Sequence, residues 1–224
     1  GVDDTNWDSV FAKNMKERLD NLYHFVIENY NKGRNDKKEI DNWIENEVNL
    51  IIKKVEDFME STCFRSAIQK AYFDLQSALK WYLRRVDKPN KKTINRVIET
   101  QLLLLSSFAP FICEELWEKI GKKSLISSER WPETIKVDYK GNEENIKIVL
   151  NDVKSILKIV KFEPKAVYLY TIPKEINFLE EAKEFFEREL NLKIKIFAVN
   201  DKKKYDPQNK SSKAKPGRPA IFVE

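Results

Sequence analysis

A row of planar, aromatic and positively charged side chains recurs at helical spacing near the middle of the chain. Separated by steps of three or four residues, its members are Arg65, Gln69, Phe73, Gln76, Lys80 and Arg84. Side chains at that spacing share one face of an α-helix, and we call this row the helix-three face. Because guanidinium and ammonium groups neutralise phosphates, the row favours a contact with a nucleic-acid backbone. The plain alternative is the charged outer face that a bundle helix usually has.

The positive charge continues beyond this row with little acidic compensation. Trp81 lies beside the helix-three face, and the cations that follow are Arg85, Lys88, Lys91, Lys92 and Arg96. Between Arg65 and Arg96 the only acidic residues are Asp74 and Asp87. An uncompensated positive stretch of this kind strengthens the nucleic-acid interpretation.

A second basic segment lies between Asn200 and Arg218. Its cations are Lys202, Lys203, Lys204, Lys210, Lys213, Lys215 and Arg218. Since Asp201 and Asp206 are its only acidic residues, this segment accounts for the whole formal net charge of +5. From composition alone, a solvated loop and a phosphate-binding arm are equally good interpretations.

The sequence indicates no catalytic or metal site of its own. His24 is the only histidine, and no nucleophile elbow or glycine-rich phosphate loop is present. The two cysteines, Cys63 and Cys113, lie in apolar contexts and are predicted to be buried free thiols in a reducing cytoplasm. Within the apolar stretch Ile94 to Trp117 the longest unbroken apolar run, Leu102 to Leu105, is too short to span a membrane. A cytoplasmic location and a monomeric state are expected.

Apolar periodicity predicts the elements that must position these residues. Three amphipathic helices are expected over about 7–30, 40–58 and 62–86, the third with Phe64 toward the core. The most apolar stretch, Ile94 to Trp117, is predicted to be the scaffold of a helical bundle, with Phe111 widening its buried stripe. Pro110 should kink or break it near Ser106 to Ala109.

The period of the pattern changes after residue 145. A helix over 146–160 is followed by a strand at 166–171, a helix over 178–190 and a strand at 193–197, which predicts a parallel βαβ unit. Residues 219–223 could add an edge strand. The expected fold is therefore mainly α: an antiparallel helical bundle over 1–132, a linker over 133–145, and a small α/β domain over 146–224 with a two- to three-stranded sheet.

Three segments together resemble a known family. They are Ser77-Ala-Leu-Lys-Trp-Tyr-Leu-Arg-Arg85, Ala109-Pro-Phe-Ile-Cys-Glu-Glu-Leu-Trp117 and Trp131-Pro132. They resemble the helical anticodon-binding domain of class I synthetases for leucine, isoleucine, valine and methionine. The closing sequence Pro216-Gly-Arg-Pro-Ala-Ile-Phe-Val-Glu224, after a small α/β domain, is similar to leucyl-tRNA synthetases of the archaeal and eukaryotic kind.

The resemblance implies a role in holding leucine tRNA along the inner side of the L and at the long variable arm. It carries RNA contacts onto the helix-three cations and onto the end of the chain, where the residues concerned are Arg218, Ile221, Phe222 and Glu224. Catalytic and editing domains, with HIGH and KMSKS motifs, are expected upstream of Gly1, so this chain alone should be inactive. ATP and Mg²⁺ would serve the full-length enzyme, and no cofactor is expected here.

Two other interpretations stay open at this point. Ile221 and Phe222 fit an ordinary core as well as they fit an RNA contact. The chain as a whole could also be a helical protein-interaction module or a non-specific RNA-binding module.

Overall fold

The chain folds into two compact units, Gly1–Tyr139 and Lys140–Glu224. The computed structural model describes residues 7–224. The division between the units falls inside the predicted linker over 133–145. The first unit is helical and the second is a small α/β unit, which confirms the predicted fold class.

Six α-helices and one π-helical segment form the described part of the first unit. Their bounds are α1 Ser9–Asn29, α2 Glu39–Glu60, α3 Phe64–Ile68, the π segment Gln69–Asp74, α4 Leu75–Arg85, α5 Lys91–Leu105 and α6 Pro110–Lys119. The predicted third helix is therefore continuous from Phe64 to Arg85, with a π segment in its first half. Such segments are rare and often occur at functional sites.

The predicted scaffold, Ile94 to Trp117, forms the centre of this unit. It is interrupted just before Pro110, as predicted. Ile94, Val97 and Leu102 of α5 are fully buried, as is Leu116 of α6. The helix ends at Leu105 and a new one begins at Pro110. Proline is well placed at a first helical position because its missing N–H would have no partner there.

Three side chains that were predicted to be buried are exposed. Phe111 is 91% exposed, because the break before Pro110 starts a second helix with a new rotational phase. Phe64 is 51% exposed, since it begins α3 at the edge of the bundle. Cys63 is exposed because it lies in the connection between α2 and α3, whereas Cys113 is buried as predicted. Burial raises the pKa of the Cys113 thiol to about 12, which keeps it protonated.

A buried carboxylate joins two turns of this unit. Asp41, fully buried on α2, accepts hydrogen bonds from Arg34 Nη2 at 2.7 and 2.8 Å and from the Tyr82 hydroxyl at 2.6 Å. That hydroxyl in turn accepts a bond from the Asn90 amide at 2.8 Å. Burial and the bond to Asp41 raise the pKa of Tyr82, so its phenol stays a donor. We call these four residues the Asp41 network.

Backbone bonds complete the junction between the turn before α2 and the turn before α5. The Arg34 amide donates to Pro89 O at 2.9 Å, and the Lys91 amide donates to Arg34 O at 2.9 Å. The Asn90 side chain caps α5 by accepting from the Thr93 amide at 3.0 Å. Gly33, with φ +126°, allows this close approach, since an added Cβ would lie 2.3 Å from Pro89 O.

The second unit is a three-stranded sheet with helices. Its elements are α7 Glu143–Leu157, β1 Ala166–Thr171, α8 Ile176–Glu181, α9 Lys183–Leu190, β2 Lys193–Ala198 and β3 Ala220–Val223. The sheet order is β2-β1-β3. β1 pairs with β2 in parallel, Ala166 opposite Lys193, which confirms the βαβ prediction. β3 pairs with β1 antiparallel and is the predicted edge strand.

One face of the sheet carries an aromatic cluster. Because side chains alternate along a strand, Tyr168 and Tyr170 of β1 share a face with Phe197 of β2 and Phe222 of β3. The Tyr168 ring lies 5.6 Å from the Phe222 ring and 5.1 Å from the Tyr205 ring, centroid to centroid. The segment after β2 thus covers part of this face.

The close approach of Gly33 to Pro89 predicts that a methyl group added at position 33 destabilises the fold. Gly33→Ala should lower the free energy of unfolding by more than about 1 kcal/mol, because the new Cβ meets Pro89 O and the backbone stays at positive φ. Urea denaturation followed by circular dichroism measures it.

Gly121→Ala is the matched control. Gly121 also has a positive φ, +88°, but a Cβ there meets nothing within 4 Å. The control should therefore show backbone strain alone. Equal losses in the two variants would contradict the close approach at Gly33.

Candidate nucleic-acid interface

The helix-three face lines a groove against α1. The groove has a volume of about 790 Å³. Five of the six predicted residues line it, namely Gln69, Phe73, Gln76, Lys80 and Arg84. Arg65 is exposed one turn earlier on the same helix and is outside the lining. The structure therefore gathers most of the predicted row into one concave surface.

The other wall of the groove comes from α1, and Arg18 links the walls. Its guanidinium carbon lies 5.4 Å from the centroid of the Phe73 ring, a cation–π contact. Its carbonyl oxygen accepts a hydrogen bond from the Tyr72 hydroxyl at 3.0 Å. Both partners belong to the π segment. Arg18 and Asn21 of α1, which also line the groove, were missed by sequence reasoning.

The acidic charge in this groove is compensated. Asp74 is paired with Lys70 at 2.5 Å and accepts a hydrogen bond from Gln69 Nε2 at 3.3 Å. Gln76 donates to Gln101 Oε1 at 2.8 Å, which fixes its amide against α5. The cations that line the groove are Arg18, Lys80 and Arg84.

Trp81 and the arginines that follow it are only partly exposed. Trp81 packs against the core of the first unit, and the guanidinium carbon of Arg84 lies 5.3 Å from the centroid of its ring. Arg85 is half-buried as well. Trp81, Arg84 and Arg85 thus have intramolecular contacts, and their contact with RNA stays a prediction.

The turn between α4 and α5 displays lysines from a rigid backbone. Lys88 O accepts a hydrogen bond from Arg34 Nε at 3.1 Å, and the Lys91 amide is bonded to Arg34 O. The side chains of Lys88 and Lys92 are exposed, and that of Lys91 is half-buried. The Asp41 network and its backbone bonds therefore fix where these cations are.

Arg96 has a structural role within this unit. Its guanidinium donates to Glu45 O at 3.2 Å and to Asn49 Oδ1 at 2.6 Å, and burial lowers its pKa. Together with Lys92 it lines a depression of about 400 Å³ that also contains Glu99 and Glu133. The contact of Arg96 with RNA stays a prediction.

The basic segment of the second unit is folded. The Asp206 carboxylate accepts hydrogen bonds from the Lys210 amide at 2.7 Å and the Ser211 amide at 2.9 Å. Burial opposes ionisation of Asp206, but the bonds from Ser211 and Lys210 outweigh it and lower the pKa. A turn then pairs the amides and carbonyls of Lys215 and Arg218 at 2.9 and 3.0 Å.

Most cations of this segment point away from those bonds. The exposed ones are Lys202, Lys203, Lys213, Lys215 and Arg218. Lys204 differs, since its ammonium donates to the carbonyl of Val199 at 3.0 Å. The cations are thus presented by an ordered loop.

The last strand is part of the aromatic face. Ile221 and Phe222 are half-buried, and Phe222 packs on Tyr168 and Tyr205. The Glu224 carboxylate accepts hydrogen bonds from the Tyr168 hydroxyl at 2.6 Å and the Tyr205 hydroxyl at 3.4 Å. These contacts give Phe222 and Glu224 a structural role, and the RNA contact of Ile221, Phe222 and Glu224 stays a prediction.

The described residues contain neither a metal cluster nor a membrane span. Within residues 7–224, no three histidine, cysteine or acidic side chains come together as a potential metal site. Over the same range no helix has both the length and the apolar character needed to cross a bilayer.

Comparison with known proteins places these features in a family. Residues 41–169 match the family model described as the anticodon-binding domain of tRNA ligase. The leucine–tRNA ligase of Pyrococcus horikoshii is 27% identical in an alignment that covers 99% of this chain and 29% of that protein. The leucine–tRNA ligase of Aeropyrum pernix is 34% identical over 71% of this chain and 17% of its own length.

The chain spans less than a third of the length of these curated relatives. The alignment with the Pyrococcus protein extends over 287 positions, although the chain has 224 residues, so that relative contains segments with no counterpart here. Among solved structures, a LeuRS–tRNA–LeuAMS ternary complex of Agrobacterium radiobacter K84 matches 87% of the chain and 26% of its own, with 19% identity and a TM-score of 0.49.

The side-chain carboxylate of Glu224 should control the pKa of Tyr168 on the aromatic face. The hydrogen bond to Glu224, followed by burial, raises the pKa of Tyr168 to about 12 from a usual value of 10.0. Because the folded pKa is the higher one, this tyrosine stabilises the fold fully below pH 10.0, and that contribution is lost as the pH rises through about 12.

Replacing the carboxylate tests this coupling. Glu224→Gln should lower the pKa of Tyr168 toward 10.0, as followed by NMR titration of the labelled ring. Glu163→Gln, at an exposed glutamate of the same unit, should leave it unchanged. An unchanged Tyr168 pKa in Glu224→Gln would rule out the contact.

Proposed function

We propose a tRNA-holding role from the premise that the chain belongs to the anticodon-binding domain family of tRNA ligases. Its substrate class is leucine tRNA, because the relatives that cover nearly the whole chain are leucine–tRNA ligases. The chain would hold the inner side of the L-shaped tRNA with its first unit and the long variable arm with its second.

One observation carries the proposal for the first unit. The helix-three face, selected from the sequence for its cations and planar groups, lines a single groove in which the acidic side chain of Asp74 is already paired with Lys70. Arg18 and Lys80 line the same groove, and each cation that contacts a phosphate releases counterions. The turn lysines Lys88 and Lys92 add exposed cations at the end of α4.

The second unit supports the proposal through its ordered basic loop. A loop fixed by Asp206 loses less conformational entropy on binding than a disordered arm would. Its exposed cations lie in the segment that leads directly to β3 and Glu224. This favours the interpretation as a phosphate-binding surface over that of a merely solvated loop.

Under the same proposal, the chemistry of aminoacylation would take place outside this chain. Leucine activation, editing, and the binding of ATP and Mg²⁺ would belong to the parts of the relatives that have no counterpart in this chain. We therefore expect no charging activity from this chain by itself. As part of a ligase, its contribution would be to orient the tRNA.

A protein-interaction module is the competing function, and a specific observation favours it. Such a module would use exposed apolar side chains, of which the first unit has Phe111 and Leu125. They lie outside the cationic groove, so the two functions predict sensitivity to different substitutions.

Charge reversal separates the two functions. Lys80→Glu combined with Arg65→Glu should weaken binding of a leucine tRNA transcript about tenfold or more at low salt, because two cations that neutralise phosphates are replaced by two groups that repel them. The wild-type chain should bind in the micromolar range or tighter, with an affinity that falls steeply with salt. Filter binding across a salt series measures both.

A control variant has the same change in charge on a different helix, α2. Lys53→Glu with Lys54→Glu alters two exposed lysines of α2 and should have little effect. Removal of the long variable arm should weaken binding to the wild-type chain. Equal binding to every tRNA would reduce the chain to a non-specific RNA binder, and an unchanged affinity in the Lys80→Glu, Arg65→Glu variant would contradict an RNA contact of the helix-three face.

A further inference from the structure

Four lysines that belong to neither predicted basic segment line one recess at the start of the edge strand β2. Since the sheet order is β2-β1-β3, one edge of β2 has no neighbouring strand within the described range 7–224. Beside it lies a recess of about 670 Å³. The lysines that line it, here called the β2-edge lysines, are Lys165, Lys183, Lys193 and Lys195.

The recess has a strong positive excess. Among the described residues that line it, Glu187 is the only acidic one, and one of its carboxylate oxygens accepts a hydrogen bond from the Ile194 amide at 3.0 Å. That bond satisfies an amide on β2 and ties the carboxylate to the strand. Four lysines therefore line the recess together with one carboxylate that is already engaged.

A chain of contacts connects this recess to Glu224, which follows β3. The Lys195 ammonium lies 5.0 Å from the centroid of the Tyr168 ring and donates to the Tyr168 hydroxyl at 3.3 Å. The same hydroxyl donates to Glu224. The Lys165 amide donates to the Glu224 carbonyl at 2.5 Å. Two of the β2-edge lysines, Lys165 and Lys195, are thus connected to the end of the terminal strand.

The spacing along β2 fits a polyanion. Lys193 and Lys195 are both exposed and, being two residues apart on a strand, lie on the same side about 6.6 Å from each other. That interval is comparable to the distance between successive phosphates of an extended nucleic-acid strand. Lys183, at the start of α9, adds a third cation across the recess.

We infer that the β2-edge lysines bind the phosphate backbone of the RNA and extend the binding surface of the second unit from Glu224 along β2. This inference rests on the proposed tRNA-holding function. It names residues outside the two basic segments that the sequence indicates. The alternative role of lysines on an open strand is to prevent edge-to-edge pairing between molecules.

Charge reversal on the strand distinguishes these roles. In the full chain, Lys193→Glu with Lys195→Glu should weaken binding of a leucine tRNA transcript roughly tenfold at low salt. The slope of log K against log salt should fall by about 0.7–0.9 for each phosphate that the variant no longer neutralises. Lys53→Glu with Lys54→Glu, the matched control, should bind as the wild-type chain does.

Acetylation of lysines followed by mass spectrometry supplies a second readout on the wild-type chain. Bound tRNA should protect Lys183 and Lys193 from acetylation and leave Lys53 and Lys54 reactive. A role in edge protection would not produce this pattern.

Three results would overturn the inference. Wild-type affinity in Lys193→Glu, Lys195→Glu, together with weakened binding in Lys80→Glu, Arg65→Glu, would leave the proposed function intact and remove this surface. Self-association of the β2 variant on size exclusion, with unchanged RNA affinity of its monomer, would assign the lysines to edge protection. A wild-type chain that binds no tRNA would remove both the inference and the proposed function.

Discussion

The buried carboxylate of Asp41 is the constraint on which the first unit depends. It has no exposed surface, and Arg34, Tyr82 and the Lys38 amide supply its hydrogen bonds. Removing one partner of a buried ion pair typically costs about 3–5 kcal/mol, because the remaining charge is left without compensation. Since Arg34 precedes α2 and Tyr82 lies on α4, this one group fixes two turns that are distant in sequence.

The cationic surface follows from that constraint. Arg34 bonds to the backbone of Lys88, Pro89 and Lys91, so the lysines of this turn project from a fixed frame. One helix earlier, the π segment places Phe73 under the guanidinium of Arg18 and closes a groove with α1. In the second unit Asp206 has a comparable role, because its carboxylate bonds order the basic loop. In both units a buried or hydrogen-bonded acid positions exposed cations.

Periodicity in the sequence was enough to predict the helical segments, the βαβ unit, the edge strand and the break at Pro110. It did not predict that the single helix expected over 178–190 is divided at Ala182 into α8 and α9. It could not predict what depends on three-dimensional approach. Phe111 is exposed because α6 begins after a break with a different rotational phase from α5. Apolar periodicity that is continued across the break predicts instead that Phe111 is buried. Arg18 enters the groove only because α1 packs beside the π segment, and the β2-edge lysines gather only when Lys183 and Lys193 meet across a recess. In the sequence these residues are single charges among many.

The central claim is that RNA lies on the groove side of α3 and α4 and on the basic loop and terminal strand of the second unit. Photo-crosslinking of the chain to a leucine tRNA that contains 4-thiouridine, with the crosslinked peptides identified by mass spectrometry, tests it most directly. The account predicts crosslinks within residues 65–96 and 202–224. Crosslinks concentrated in α2 and α6, with none in those two ranges, would contradict it.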